Sequence, residues 1–147
     1  DQVDSELVQV LVDLDVVAGE IENKKVELAQ AEADLETAKA MLKSKRYLYV
    51  GFMCNQAIEK MLKGYYVRAK NEQPPYTHKL IRLAEESNLY KKMSEEQKDF
   101  LDLISPLNIE ARYPTQKKEL FEALNKNKCK EIVTRTKELI VWIKSKL

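Results

Sequence analysis

The chain has 147 residues, 44% of them hydrophobic and 33% charged, which is enough for one domain that buries its core without disulfides or metal. Three Gly and four Pro are few, and the long intervals rich in Lys, Glu, Leu and Ala select an all-α class. A net charge of +1 hides an asymmetry: residues 1–36 hold eleven acids against Lys24 and Lys25, and residues 37–147 hold twenty-three Lys and Arg against thirteen acids.

Leu7, Leu14, Ile21, Leu28, Leu35 and Leu42 fall on a seven-residue repeat, with Val10, Val17, Ala31 and Ala38 three positions later and Lys24 interrupting that second set. This is a coiled-coil pattern, and a continuous helix from about Ser5 to Ser44 would be roughly 60 Å long, more than a small bundle needs. A second copy of the chain is the simplest partner for the surplus. A competing period-two alternation of Val8, Val10, Val12, Leu14 and Val16 reads as a strand, with Gly19 as a break; six heptads favour the helix.

A second helix runs from about Arg46 to Lys70 and stops before Asn71-Glu-Gln-Pro-Pro-Tyr76, where two prolines forbid continuation. Val50, Cys54, Ala57, Ile58, Met61 and Tyr65 form its buried face, and Gln56, Lys60 and Lys63 line up opposite as a polar stripe. Thr77 is placed to cap a short third helix carrying Leu80, Ile81, Leu83 and Ala84. Ser94 and Gln97 form a capping box that opens a fourth, with Phe100, Leu103, Ile104 and Leu107 inward and Pro106 as a kink. Pro114 ends or bends that segment. Leu120, Phe121 and Leu124 make another short helix, and Cys129, Ile132, Val133, Leu139, Ile140 and Ile143 line the last. The sum is an antiparallel helical bundle, residues 26–147, with a helical arm over residues 1–25.

Cys54 and Cys129 sit inside apolar helical patterns and read as buried thiols; neither a metal site nor a cofactor is expected. Apolar runs are only a few residues long and the amino terminus is acidic, which argues against a membrane-spanning helix and a signal peptide. A cytoplasmic protein is expected. A basic body attracts phosphate, and an acidic arm either competes for that surface or keeps the chain soluble.

Candidate site residues follow from residue type. His78, the one histidine, stands at the start of the third helix beside a Tyr and a Thr that can fix its tautomer, where it can donate to phosphate or carry a proton; a capping or packing role explains it equally. Arg112 and Tyr113 follow a kinked helix and precede Pro114, where side chains can be aimed into a groove, and an Arg fork suits phosphate. A bridge from Arg112 to Glu59 or Glu110 is the structural alternative. Gln56, Lys60 and Lys63 form the stripe a nucleotide or RNA backbone would meet, or a plain solvated face. Tyr47, Tyr49, Tyr65 and Tyr66 offer rings for base stacking or rim packing.

Four stretches in this order resemble the HEPN family (higher eukaryotes and prokaryotes nucleotide-binding): Ala33-Asp-Leu-Glu-Thr-Ala38, Asn55-Gln-Ala-Ile-Glu-Lys-Met-Leu-Lys63, Tyr76-Thr-His-Lys79 and Glu110-Ala-Arg-Tyr-Pro114. The resemblance spans about residue 26 to the carboxyl end. It implies a compact bundle, usually a homodimer, in prokaryotic toxin–antitoxin or defence settings beside a nucleotidyltransferase partner. It also implies that Gln56, Lys60, Lys63, His78, Arg112 and Tyr113 converge on a nucleotide or RNA-like anion. Many members carry an Arg-x(4–6)-His motif linked to metal-independent RNA cleavage. Here Arg68 is the nearest Arg before His78, with nine residues and two prolines between, so a binding module with weak or no catalysis is the leading expectation. The alternatives are a ribonuclease toxin using His78 and Arg112 as catalytic groups, and a non-catalytic interaction subunit.

Overall fold

A computed structural model describes residues 2–108 and 122–147, with the side chains of residues 16–26 excepted. Its described residues form five α-helices and two 3-10 turns, with no strand. Helix α1, Gln2–Lys43, runs unbroken through the stretch whose alternation competes for a strand and past Gly19. At 1.5 Å per residue it is about 63 Å long.

Its heptad stripe does two different things. Toward the carboxyl end Ala31, Leu35 and Ala38 are buried, with Leu28 and Leu42 packed against them; alanines at this seam let the neighbouring helix approach closely. Toward the amino end Leu7, Val10, Leu11 and Leu14 are 53–59% exposed.

A turn at Ser44–Arg46, with Lys45 in the left-handed region at φ 62°, reverses the chain into α2, Tyr47–Lys70. The two helices are antiparallel, since Gly64 lies against Glu27 and Leu28. All six apolar positions expected on the inner face, Val50, Cys54, Ala57, Ile58, Met61 and Tyr65, are buried. So are Asn55 and Glu59, because α2 is the central helix, flanked by α1 on one side and later elements on others. Asn71, left-handed at φ 53°, closes α2 by donating its N–H to the Val67 carbonyl.

Helix α3, Leu80–Glu86, begins later than Thr77 would place it: Lys79 is the N-cap residue, and Thr77 Oγ1 accepts from the Lys79 N–H at 3.1 Å. His78 therefore lies in the loop before the helix. A 3-10 turn, Tyr90–Lys92, leads to α4, Glu95–Ile104, opened by the expected capping box. Ser94 Oγ accepts from the Gln97 N–H at 3.1 Å and Gln97 Oε1 accepts from the Ser94 N–H at 2.9 Å, satisfying two donors that a helix start leaves open. Pro106 does more than kink α4. The helix ends at Ile104 and tightens into a 3-10 turn, Ser105–Leu107, since the proline has no N–H to extend the ladder.

Of the expected short helix near residue 120, Glu122 and Ala123 are helical and Leu124 is buried; Leu120 and Phe121 lie outside the described residues, as does Pro114. Asn125 Oδ1 caps α5, Lys126–Ser145, by accepting from the Lys128 N–H at 2.8 Å. Cys129 Sγ meets the Tyr47 carbonyl at 3.6 Å and Lys144 pairs with Glu32, so α5 runs parallel to α2 and antiparallel to α1. Among the described residues no helix is long and apolar enough to cross a membrane.

Candidate functional site

The polar stripe of α2 is not bare. Lys60 Nζ lies 2.5 Å from Asp34 Oδ2 on α1, Lys63 Nζ lies 3.3 Å from Glu59 Oε2 one turn back, and Gln56 Nε2 donates to Asn108 Oδ1 at 2.9 Å. Each side chain is half-buried, where an ion pair is screened less than on an open surface. The expected row of free cations is thus a set of locally neutralised pairs.

Glu59 organises the cluster. Its carboxylate is buried, and its second oxygen, Oε1, sits 2.9 Å from Nδ1 of His78. Burying a carboxylate is costly unless it is paired and hydrogen-bonded, and here both oxygens are engaged, one by an ammonium and one by an imidazole. The His78 side chain is itself 62% exposed. Its Nε2 has no protein partner among the described residues. Tyr76, 99% exposed, meets the imidazole edge-on with centroids 6.2 Å apart and planes at 61°.

His78 stands at one end of a groove of about 680 Å³, walled by Arg82 and Glu86 of α3 on one side and by Ser105, Pro106 and Asn108 on the other. Arg82 Nε is tied to Glu86 Oε1 at 3.3 Å. The polar end of Gln56 reaches this groove through Asn108. Charge in the inner cluster then depends on the imidazole: Lys60 with Asp34 and Lys63 with Glu59 cancel, so a neutral ring leaves it uncharged and a protonated ring leaves one positive charge.

The fold therefore brings Gln56, Lys63 and His78 into one neighbourhood, with Lys60 one turn from Gln56 on the same face. Arg112 and Tyr113 lie outside the described residues, as does Glu110, and with them the expected bridge from Arg112 to Glu59 or Glu110. Of the tyrosines, Tyr65 and Tyr66 are buried, which removes them as stacking platforms; Tyr47 is half-buried and Tyr49 is 51% exposed.

In the sequence Asp34 and Asn108 carry no assigned role, and Glu59 enters only as an alternative mate for Arg112. Glu59 has a legible signal: an acid one turn after Asn55 and one turn before Lys63, on the border of an apolar face. Asp34 and Asn108 have none, because their partners are 26 and 52 residues away. Asn55, fully buried, donates through Nδ2 to the Ile104 carbonyl at 2.8 Å, near the break that Pro106 makes. It fixes the end of α4, and so one wall of the groove, onto α2.

The family model for the HEPN domain matches residues 25–146. The fold is similar to the crystal structure of TT1696 from Thermus thermophilus, with a TM-score of 0.72 at 19% sequence identity, covering 84% of this chain and 98% of that one. No curated protein matches the sequence. With a family model matched from within α1 to the end of α5, the chain belongs to the HEPN domain family.

Proposed function

We propose that this HEPN chain is a nucleotide- or RNA-binding module that receives the phosphate of its ligand at the His78 end of the groove. The observation that carries this reading is an exposed imidazole with one nitrogen held by a buried carboxylate and the other without a partner among the described residues. A packing histidine has no use for that exposure. The protonated ring donates through Nε2 to a phosphate oxygen, a charge-assisted bond stronger than a neutral one, and Lys63 and Gln56 border the same face. Arg112 and Tyr113 complete the site in this proposal, the guanidinium as a second phosphate ligand. Catalysis is weak or absent in this reading, because the Arg-x(4–6)-His spacing is missing.

Fluorescence anisotropy with a labelled nucleotide and with a labelled structured RNA tests it. His78→Ala is expected to weaken binding about tenfold, the loss of roughly 1.4 kcal/mol, and to lower the melting temperature of a still folded protein, because buried Glu59 Oε1 loses its partner. Equal affinity in both proteins overturns the assignment.

One observation favours a second reading, a metal-independent ribonuclease toxin. A carboxylate-oriented imidazole with a free Nε2 is the arrangement a general base needs. Incubation with structured RNA in the presence of chelator distinguishes the two, with His78→Ala as control: cleavage by the parent that the variant lacks favours the nuclease.

The biological setting we propose is a toxin–antitoxin or defence pair with a nucleotidyltransferase-type protein, the chain itself forming a homodimer. The exposed heptad stripe of Leu7, Val10 and Leu14 supports self-association, because a seven-residue apolar repeat is built to meet another helix.

A further inference from the structure

We infer that Glu59 is a positioning residue that locks His78 in its Nδ1–H tautomer, so that the neutral ring offers the groove a lone pair on Nε2 and only the protonated ring offers a donor. The inference rests on the binding reading above and specifies what the site can recognise in each protonation state: a hydroxyl or other hydrogen-bond donor when the ring is neutral, a phosphate oxygen when it is charged.

Glu59 Oε2 faces the Lys63 ammonium at 3.3 Å, and ammonium nitrogen is a donor only. A carboxylate so paired has acceptor capacity alone, so the 2.9 Å contact between its other oxygen and Nδ1 requires the proton on Nδ1. In a neutral imidazole one nitrogen donates and the other accepts, and the bond made by one fixes the role of the other. Without a partner, imidazole in water favours the opposite tautomer, so the carboxylate inverts a preference rather than reinforcing it. Two constraints hold the carboxylate in place: Glu59 is fixed on the central helix, and Lys63 holds its far oxygen. Ser105 and Asn108 line the groove with His78, and Asn108 is already bonded to Gln56.

Because the chain contains a single histidine, its ring nitrogens give one unobstructed pair of signals. Nitrogen-15-labelled full-length protein, recorded by long-range proton–nitrogen correlation at a pH where the ring is neutral and with no ligand added, reads the tautomer directly. The expected result is a protonated Nδ1 and a pyridine-like Nε2. Glu59→Ala is expected to shift the ring to predominantly Nε2–H, and Lys63→Met, which leaves the carboxylate in place, is expected to keep Nδ1–H. A predominantly Nε2–H ring in the parent protein overturns the inference whatever the variants do, so a variant that fails to fold leaves the test intact. An unchanged tautomer in folded Glu59→Ala overturns it as well. Since no ligand is present, a wrong tautomer leaves the binding reading standing. Conversely, the right tautomer with no nucleotide or RNA binding removes the binding reading alone.

Discussion

Two thiols and one amide show how single residues in this core set measurable properties. Cys54 and Cys129 are fully buried, and burial pushes each thiol up to about 11, against about 8.5 for a free cysteine. In the folded chain they keep their protons at a pH where the unfolded chain has lost them. Between pH 9 and 11 the unfolded state binds fewer protons, so stability falls as pH rises through that window and is complete below it. The expected loss is about 2 kcal/mol per thiol. Urea denaturation at pH 8 and pH 10.5 checks this: a Cys54→Ala, Cys129→Ala variant is expected to lose less stability between the two pH values than its parent does, and equal losses count against it. Asn55 is a different case, since its amide serves the carbonyl of Ile104 at the end of α4, where the Asn108 N–H that would continue the ladder turns instead to Ser105. Asn55→Leu is expected to cost about 1–3 kcal/mol by leaving a buried acceptor unmet. A melting temperature equal to the parent's would show that the carbonyl finds another donor.

At the level of elements, local chemistry was readable and long-range pairing was not. The Ser94 capping box and the end of α2 before Pro74 stand where residue types place them, because both depend on neighbours within four positions. The start of α3 did not follow Thr77, since the hydroxyl spends itself on the Lys79 N–H two residues on and the helix opens only after it. Pro106 ended α4 instead of bending it, since its ring and missing N–H break the ladder and the chain tightens into a 3-10 turn. Two glycines of α2 separate these influences cleanly. A Cβ on Gly64 would meet Glu27 and Leu28 at 3.8 and 3.9 Å, ordinary contact, whereas one on Gly51 would meet Leu107 Cδ1 at 2.9 Å and Leu124 Cδ1 at 3.3 Å. Gly64→Ala is therefore expected to stabilise by about 0.5–1 kcal/mol through helix propensity. Gly51→Ala must displace two buried leucines to collect the same gain. Denaturation midpoints are expected to rank Gly64→Ala above both the parent and Gly51→Ala, and the reverse order would show that the α1–α2 seam is tighter than its contacts indicate.

The whole molecule joins a packed bundle to a projecting acidic helix, and its heptad repeat was legible while its division of labour was not. One stripe serves both parts: Leu35 and Ala38 pack inside, Leu7 and Leu14 face outward, and no periodicity distinguishes an intramolecular seam from an intermolecular one. The candidate site was legible for the same partial reason, since residue types named His78, Lys60 and Lys63 but did not pair them with Asp34 and Glu59, whose carboxylates neutralise the two lysines through the fold. The arm makes the last distinction testable. Residues exposed in the single chain contribute little to the bundle's own stability, so Leu7→Asp with Leu14→Asp is expected to cost the single chain under about 0.5 kcal/mol and to lower the thermal midpoint only by what loss of a dimer removes through mass action. If the stripe is the surface on which copies meet, a buried aspartate pair at successive heptads disrupts it, because unpaired charges at seam positions are strongly unfavourable. The mass in solution by light scattering is then expected to fall from that of a dimer to that of a 17.1 kDa chain. A dimer that survives both substitutions would move the self-association surface from the arm to the bundle itself.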